Sequence, residues 1–218
     1  MRIGIVDDHQ LFRKSLVLLL NTFENIEVVL EAGNGNELKE KLEETNIDLL
    51  LLDLQMPEVD GFESCIYVKE YFPDIKILIV SQLTSKESIH KVMELGANGF
   101  FTKNSDPMLL EHAIKSINDK DFFFGQELGF VLKEALLWEK KFKDMRTLDG
   151  ITISSRELEV IRFACQEFNS QEIADKLNIN YRTVETHRKR IMEKTKSKNF
   201  IGSIIYALKY GYLDIDKL

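Results

Sequence analysis

The sequence has few of the features that mark secreted or membrane proteins. It contains two cysteines, three prolines and one tryptophan in 218 residues. No apolar run reaches the roughly 18 residues that a membrane span needs, and Met1 and Arg2 lead directly into an apolar strand rather than a signal peptide. We therefore expect a cytoplasmic protein. Its length and its hydrophobic content of 44% predict one α/β domain with a smaller companion.

Three residues with metal-binding or nucleophilic side chains have no partner at a useful spacing. Cys65 and Cys165 stand in segments that we assign to different domains, and we interpret both as small hydrophobic residues of the core. No potential ligand is spaced to act with His187. We interpret that histidine as a packed or backbone-bonding residue.

The charge of the chain changes sign along its length. Residues 151–218 carry 12 Lys and Arg against 9 Asp and Glu, whereas residues 1–150 carry 17 against 27. Seven basic and two acidic side chains fall between Arg182 and Lys198. Such a stripe favours a polyanionic partner such as nucleic acid, although a basic helix is often only a solvated surface.

The first part of the chain alternates strand patterns with helical patterns, which is typical of an α/β fold with a doubly wound, five-stranded parallel sheet. The third strand is apolar on both faces, as an interior parallel strand should be. The strands are predicted at residues 2–7, 27–31, 48–53, 76–81 and 98–102. The helices between them are predicted near residues 9–22, 35–45, 61–71, 86–95 and 106–118.

Acidic residues stand where the first and third strands end. Asp7 and Asp8 follow the first strand, and Asp53 ends the third. The carboxyl ends of parallel strands meet at one edge of a sheet, so these carboxylates are expected to lie together. At about 5 Å and an effective dielectric constant near 20, each pair repels by roughly 3 kcal/mol. We therefore expect a divalent cation there, with Lys103 after the last strand as a second positive charge.

The last part of the chain is predicted to be an all-α domain of four helices. They are placed from residue 154, at residues 171–177, from residue 181 to about 195, and at residues 200–209. The segment from Ser154 to Glu157 is a capping box that starts the first helix, and Asn180 is the expected N-cap of the third. A short helix, a three-residue turn and a basic helix are typical of a helix-turn-helix.

These features of the first part resemble the receiver domain of two-component response regulators. The residues that follow the order of that family are Asp7, Asp8, Asp53, Met56, Pro57, Asp60, Gly61, Ser81, Phe100 and Lys103. The resemblance implies a CheY-like, flavodoxin-like domain in which Asp53 accepts a phosphoryl group. It also implies Mg²⁺ held by Asp8, Asp53 and the backbone carbonyl of Gln55, with Asp7 acting mainly through a metal-bound water. Lys103 would neutralise charge on the transferring oxygens.

Ser81 and Phe100 correspond to the switch residues of that family. Ser81 would donate its hydroxyl group to a phosphoryl oxygen, and Phe100 would swing inward as that hydroxyl moves. Plain structural interpretations are also open at these positions. Ser81 could cap a loop, Phe100 could be a core aromatic residue, and Asp7 could be the N-cap of the first helix.

The last part resembles the LuxR-type helix-turn-helix of the NarL/FixJ subfamily over about residues 151–213. The matching residues are Ser154 to Ile161, Glu172 to Ala174, Leu177, Thr183, Val184, His187, Ile191 and Lys194. The resemblance implies that the basic helix lies in the major groove of double-stranded DNA. The expected contacts are Gln171, Arg182, Thr183, Glu185, Thr186, Arg188, Lys189 and Arg190. The arginines are expected on phosphates, and Glu185, Thr186 and Lys189 on base edges.

Three positions depart from that pattern, and one of them is the segment Thr195-Lys196-Ser197, which replaces a Leu-Gly-Val-like stretch. Glu185 stands where the family usually has a lysine that faces the groove, and its carboxylate can accept from a cytosine amino group or repel phosphate. Glu167 stands at a helix end that is usually closed by glycine. A non-glycine residue in the left-handed conformation costs about 1 kcal/mol or more, so we expect a different local shape in that loop.

The sequence thus predicts a receiver domain at residues 1–118, a linker with a helix at 119–150, and a helix-turn-helix domain at 151–218. A sensor histidine kinase is expected to phosphorylate Asp53, and the protein is expected to bind DNA as a homodimer and regulate transcription. Both the last receiver helix and the helix from Phe200 offer an apolar face to the dimer.

Two other classes of function are weighed against this one. A phosphatase of the haloacid-dehalogenase type also has a nucleophilic Asp at a strand end, but its second acid would stand at Gln55, so we do not expect an enzyme. An adaptor that has lost DNA binding is favoured only by Glu185 and by the net charge of −7. The basic stripe argues against the adaptor.

Overall fold

A parallel sheet organises the first part of the chain. The computed structural model describes residues 1–123, 125 and 151–213. The five strands lie in the order β2-β1-β3-β4-β5 and every adjacent pair is parallel. The predicted doubly wound sheet is confirmed. The strands are β1 (Arg2–Val6), β2 (Glu27–Ala32), β3 (Leu49–Leu52), β4 (Lys76–Ser81) and β5 (Gly99–Thr102).

Helices cover both faces of this sheet. The helices are α1 (Gln10–Leu20), α2 (Gly35–Leu42), α3 (Gly61–Tyr71), α4 (Lys86–Leu95) and α5 (Met108–Lys120). Leu49 and Leu51 of β3 belong to the core under α1 and α5, while Leu50 and Leu52 belong to the core under α2, α3 and α4. All four leucines are buried, and each contributes roughly 2 kcal/mol through burial.

Four helices form the last part of the chain, as predicted. They are α6 (Ser155–Cys165), α7 (Ser170–Leu177), α8 (Tyr181–Thr195) and α9 (Phe200–Lys209). The capping box of Ser154 and Glu157 is present. Asn180 caps α8 by accepting a hydrogen bond from the Arg182 amide. The apolar stripe of α9 is buried in the core of this domain.

The loop at Glu167 differs from the expectation. Glu167 adopts φ 65°, which is the left-handed conformation that a glycine would take. The backbone at Glu167 therefore has the conformation that a glycine would give it. The prediction of a different shape was wrong. Phe168 packs edge-on against Phe163, with ring centroids 5.9 Å apart, and this contact helps to offset the conformational cost.

The last receiver helix extends slightly beyond its predicted end. Helix α5 continues to Lys120, and the following residues Phe122 and Phe123 are buried. Phe123 also forms a bridge with Gly99 at the start of β5. The predicted linker helix lies outside the described residues. Within the described ranges, no helix is long and apolar enough to cross a membrane.

Candidate functional site

Four polar residues converge at the carboxyl ends of the strands. Asp7 follows β1, Asp53 follows β3, Ser81 ends β4, and Lys103 follows β5. Asp7 and Asp53 are each 2% exposed, and Ser81 is fully buried. Because the sheet is parallel, strands that are far apart in sequence deliver these groups to the same edge.

Lys103 holds the two buried carboxylates together. Its Nζ lies 2.7 Å from Asp7 Oδ2 and 2.5 Å from Asp53 Oδ2. Burial alone would lower the pKa of Lys103, but its hydrogen bonds to Asp53 and Asp7 raise that pKa above the usual value. Burial raises the pKa of the Asp7 carboxyl, and the hydrogen bond from Lys103 opposes this rise. One ammonium group faces two carboxylates, so the cluster keeps a surplus of negative charge.

The hydroxyl of Ser81 and the ring of Phe100 both point inward. Ser81 Oγ donates to Asp53 Oδ1 at 2.7 Å, and it accepts a hydrogen bond from the Leu83 amide at 3.3 Å. The serine therefore also caps a loop, as its plain interpretation states. Phe100 is fully buried in the core under α2, α3 and α4. The switch roles of both residues stay predictions.

The turn after Asp53 depends on Gly61. Gly61 begins α3, and its amide donates to the Leu54 carbonyl at 3.1 Å. A Cβ atom at Gly61 would collide with the carbonyl oxygen of Asp53 and would lie 2.6 Å from Leu54 Cα. Asp60 starts the helix by accepting a hydrogen bond from the Glu63 amide. The glycine thus lets α3 pack directly on the backbone that carries Asp53.

The carboxylate edge has the donors that a divalent cation requires. One ligand atom from each of Asp7, Asp8, His9 and Asp53 lies within 4.8 Å of the others. Hard divalent cations prefer such carboxylate oxygens, so the residues fit an ion like Mg²⁺. Gln55 is exposed next to this edge, and its backbone N–H donates a hydrogen bond to Asp53 Oδ1 at 3.3 Å. Sequence reasoning missed His9, although it directly follows the aspartate pair.

Helix α8 presents most of the predicted DNA contacts to solvent. On this helix Arg182, Thr183, Thr186, Lys189 and Arg190 are exposed, and Gln171 is exposed on α7. Glu185 is partly exposed, with its carboxylate 3.4 Å from Arg188 Nη1. Val184 and Ile191 are buried on the opposite side of the helix. The pattern gives α8 one apolar face and one polar, basic face.

Arg188 departs from its expected place as a solvent-facing phosphate contact. It is 6% exposed, and its Nη1 donates to Ser170 Oγ at 2.7 Å. Its Nη2 lies 3.0 Å from Asp121 Oδ2 and donates to the Lys120 carbonyl at 3.2 Å. The guanidinium also lies 4.6 Å from the centre of the Phe200 ring. Arg188 therefore connects α8 to the end of the receiver domain in this structure.

Asn199 also connects the two parts, in addition to Arg188 and to the ion pair of Lys120 with Glu167 at 3.6 Å. As the N-cap of α9 it accepts from the Gly202 amide, and its Nδ2 donates to the carbonyls of Gly96 and Ala97 at 2.8 and 2.6 Å. Gly96 ends α4 with φ 107°. A cleft of about 660 Å³ runs beside these contacts and is lined by Glu185, Thr186 and Lys189 of α8. The polar face of α8 is thus partly turned toward the receiver.

Lys194 and His187, which match the LuxR-type pattern, make contacts inside the last part of the chain. Lys194 pairs with Glu157 at 2.7 Å and donates to the Thr152 carbonyl at 3.0 Å. Burial alone would raise the pKa of Glu157, but Lys194 and Ser154 lower it. His187 Nδ1 is buried without a hydrogen-bond partner among the described residues. This histidine is packed, as predicted, but Nδ1 makes no backbone bond.

Two family models match the chain. The response regulator receiver domain matches residues 3–115, and the luxR family of bacterial regulatory proteins matches residues 152–207. Their order and extent follow the two parts of the structure. The chain therefore belongs to the response regulators, and it combines a receiver with a LuxR-type DNA-binding region that regulates transcription.

Full-length relatives have the same arrangement. The oxygen regulatory protein NreC of Staphylococcus haemolyticus is 33% identical over 216 residues, covering 98% of this chain and all of that protein. NreC of Staphylococcus carnosus is 32% identical with the same coverage. Among solved structures, RcsB of Salmonella enterica serovar Typhimurium bound to a promoter with a phosphomimetic has a TM-score of 0.58 and 25% identity. That match covers 96% of this chain and 98% of RcsB.

Proposed function

We propose that Asp53 accepts a phosphoryl group from a sensor histidine kinase and that this modification controls DNA binding through α7 and α8. The observation that carries the proposal is the buried cluster of Asp7, Asp53 and Lys103 at the carboxyl edge of the sheet. In the same chain, an exposed basic helix follows the predicted linker. We assign residues 1–118, 119–150 and 151–218 to the receiver, linker and DNA-binding segments.

The residues around Asp53 are suited to accept the group rather than to turn over a substrate. A carboxylate oxygen of Asp53 forms the new bond to phosphorus as the bond to the donor's nitrogen breaks. Lys103 stays close enough to neutralise the transferring oxygens, and Ser81 can donate to one of them. Gln55 carries no carboxyl group, so a general acid is missing at the position where a phosphatase would need one.

We propose that Mg²⁺ is the cation of this site. Asp8, Asp53 and the Gln55 carbonyl would hold it, and Asp7 would act through a bound water. When bound, the ion supplies Lewis acidity that draws charge from the transferring oxygens. The surplus negative charge of the cluster and the exposure of Asp8 support this assignment, because an ion can reach the edge from solvent.

DNA binding requires α8 to leave the receiver. A recognition helix must enter a major groove about 12 Å wide with its polar face free, whereas Arg188 ties α8 to the end of α5 and Asn199 ties the start of α9 to the end of α4. We propose that phosphorylation favours the separated arrangement. The exposed arginines Arg182 and Arg190 would then contact phosphates, and Arg188 could join them after release. Because DNA is the proposed partner, we expect the protein in the cytoplasm.

We further propose that the active protein is a homodimer that pairs through α1 and α5. The apolar face of α9 is buried in this structure, and this helix also packs against α4, whereas α1 and α5 carry exposed apolar side chains. Leu11 and Leu18 of α1 are 84% and 71% exposed, and Met108 and Leu109 of α5 are 67% and 52% exposed. RcsB dimers bound to DNA have been solved. Burying these four side chains would favour association.

Phosphotransfer is tested by incubating the full-length protein with acetyl phosphate and Mg²⁺ and measuring its mass. We expect one added phosphoryl group in the wild type and in the control Asp74→Asn, which changes an exposed aspartate elsewhere. Asp53→Asn and chelation of the cation should each prevent the addition. Modification that persists in Asp53→Asn would overturn the assignment.

The DNA-binding and dimer assignments are tested on the same samples. Phosphorylation should tighten binding to duplex DNA, and affinity should fall steeply as salt rises. Sedimentation should detect a dimer that Leu18→Glu abolishes and that Ile66→Glu, on α3, leaves intact. If the phosphorylated protein does not bind DNA at low salt, the result favours the hypothesis that the protein is an adaptor that has lost DNA binding. A dimer that survives Leu18→Glu would exclude the α1–α5 face.

A further inference from the structure

The imidazole of His9 lies exposed beside the carboxylate edge, within hydrogen-bond distance of Asp8. His9 is the N-cap residue of α1, but its side chain makes no capping hydrogen bond. Its amide donates to Asp7 Oδ1 at 2.9 Å, which fixes the backbone near the cluster. The side chain is 68% exposed, and Nδ1 lies 2.9 Å from Asp8 Oδ1 and 3.6 Å from Asp7 Oδ1. The core therefore does not account for the position of this ring.

One ion could contact His9 and the carboxylates together. The ligand atoms of Asp7, Asp8, His9 and Asp53 all lie within 4.8 Å of one another. Two ligands on opposite sides of an ion with bonds of about 2.0 to 2.3 Å are separated by about 4 to 4.6 Å. The four groups thus lie close enough to surround one ion, with Asp7 acting through a bound water.

We propose that His9 Nδ1 is a ligand of the bound cation and shifts the preference of the site toward transition-metal ions. This inference rests on the proposed function, because it concerns the same ion site. Mg²⁺ is hard and gains little from an imidazole nitrogen, whereas Co²⁺ and Zn²⁺ bind nitrogen well. A site with one nitrogen and several oxygen donors therefore discriminates more strongly for Co²⁺ over Mg²⁺ than a site with oxygen donors alone.

Metal titrations of the full-length protein test the selectivity. In His9→Asn an amide oxygen or nitrogen takes the approximate place of Nδ1, and the exposed position makes a folding defect unexpected. We expect Co²⁺ to bind at least about tenfold more weakly to this variant, as is typical when a metal site loses a supporting group, while Mg²⁺ affinity changes less than twofold. His90→Asn on α4 is the matched control and should change neither affinity.

Spectroscopy tests the ligand directly. With Mn²⁺ as the probe, pulsed electron paramagnetic resonance should detect coupling to a histidine nitrogen that changes when histidine is labelled with ¹⁵N and disappears in His9→Asn. Absence of that coupling, or equal losses of Co²⁺ and Mg²⁺ affinity, would overturn the inference alone. A wild-type protein that binds no Mg²⁺ at all would overturn both the inference and the proposed cation site.

Discussion

The guanidinium of Arg188 lies 3.0 Å from the carboxylate of Asp121, so the helix expected in the DNA groove is ion-paired to the residue that directly follows α5. Asp121 adopts φ 69° at the end of α5, and it also pairs with Lys76 of β4 at 2.7 Å. The backbone there is held by Asn98, whose Nδ2 donates to the Asp121 carbonyl at 2.8 Å. The carboxylate is consequently presented to α8 by a well-supported segment of the receiver.

Removing this pair should favour DNA binding without phosphorylation. Asp121 is partly exposed, so the pair contributes only about 1 kcal/mol after solvent screening. That value corresponds to about fivefold tighter DNA binding by unphosphorylated Asp121→Asn. Gel shifts at fixed salt measure the change, and Asp119→Asn is the control because it removes an equal charge nearby. Unchanged affinity in Asp121→Asn would mean that the contact does not restrain α8.

Glu185 should determine which sequence is bound. Glu185→Lys adds positive charge and should strengthen nonspecific binding. It should also change the preferred base at one position, where a good base contact contributes about 1 to 3 kcal/mol of discrimination. Glu193→Lys, on the exposed side of the same helix two turns later, adds the same charge and should alter affinity alone. Selection from a random DNA pool distinguishes them. If both variants keep the wild-type consensus, Glu185 does not read a base.

Gly61→Ala should disrupt the phosphoacceptor edge. The added methyl group would overlap the Asp53 carbonyl oxygen, and relieving that overlap requires α3 to move off the backbone it packs on. We expect a loss of more than about 2 kcal/mol in the free energy of unfolding, measured with urea, together with slower phosphorylation. At Gly33 an added Cβ would only reach ordinary contact with Glu37 at 3.5 Å, so Gly33→Ala should be tolerated.

Lys69 gives the stability of the protein a distinct dependence on pH. Burial lowers its pKa from 10.5 to about 8, and its ammonium donates to the Ile75 carbonyl and to Asn98 Oδ1. Between pH 8 and 10.5 the unfolded chain keeps this proton while the folded protein has lost it, so stability rises with pH in that range. Relative to Lys69→Met, the wild type should gain roughly 2 kcal/mol between pH 7 and pH 10.

Urea unfolding of both proteins across this pH range provides the measurement. Burial also raises the pKa of the Cys65 thiol to about 11 and of the Cys165 thiol to about 12. These thiols act in the opposite direction, and the charge of Lys69 lowers the pKa of Cys65, so both proteins are compared with Cys65 replaced by Ala and the difference between the two curves then isolates Lys69. Parallel curves would contradict the lowered pKa.

The sequence could predict what depends on local pattern and on chain direction. Strand periodicity located the sheet, and the rule that parallel strands end at one edge brought Asp7, Asp53 and Lys103 together. It could not predict the burial of Arg188. That residue has the helical spacing of the buried residues Val184 and Ile191, but its charge favours solvent, and its partner Asp121 becomes a neighbour only when the two domains pack against each other.

The backbone conformation of Glu167 was a second feature that the sequence could not predict. The residue type favours an ordinary φ, yet the chain adopts the left-handed conformation because the packed helices on either side fix the path of the loop. The cost of about 1 kcal/mol is small beside the burial of α6 and α7. His9 shows a third limit, since its proximity to Asp8 depends on a turn whose side-chain directions are not encoded in spacing.

The two ends of the β-strands serve different purposes. Asp53 and Lys103 lie at the carboxyl ends, whereas Gly96, Ala97 and Asp121, which contact the DNA-binding domain, lie beside the amino ends. Four residues of β5 separate these regions, a span of about 13 Å. Substitutions at one end can therefore accumulate without touching an atom of the other. A lineage could retune the threshold at which its genes respond while inheriting its phosphorylation chemistry unaltered.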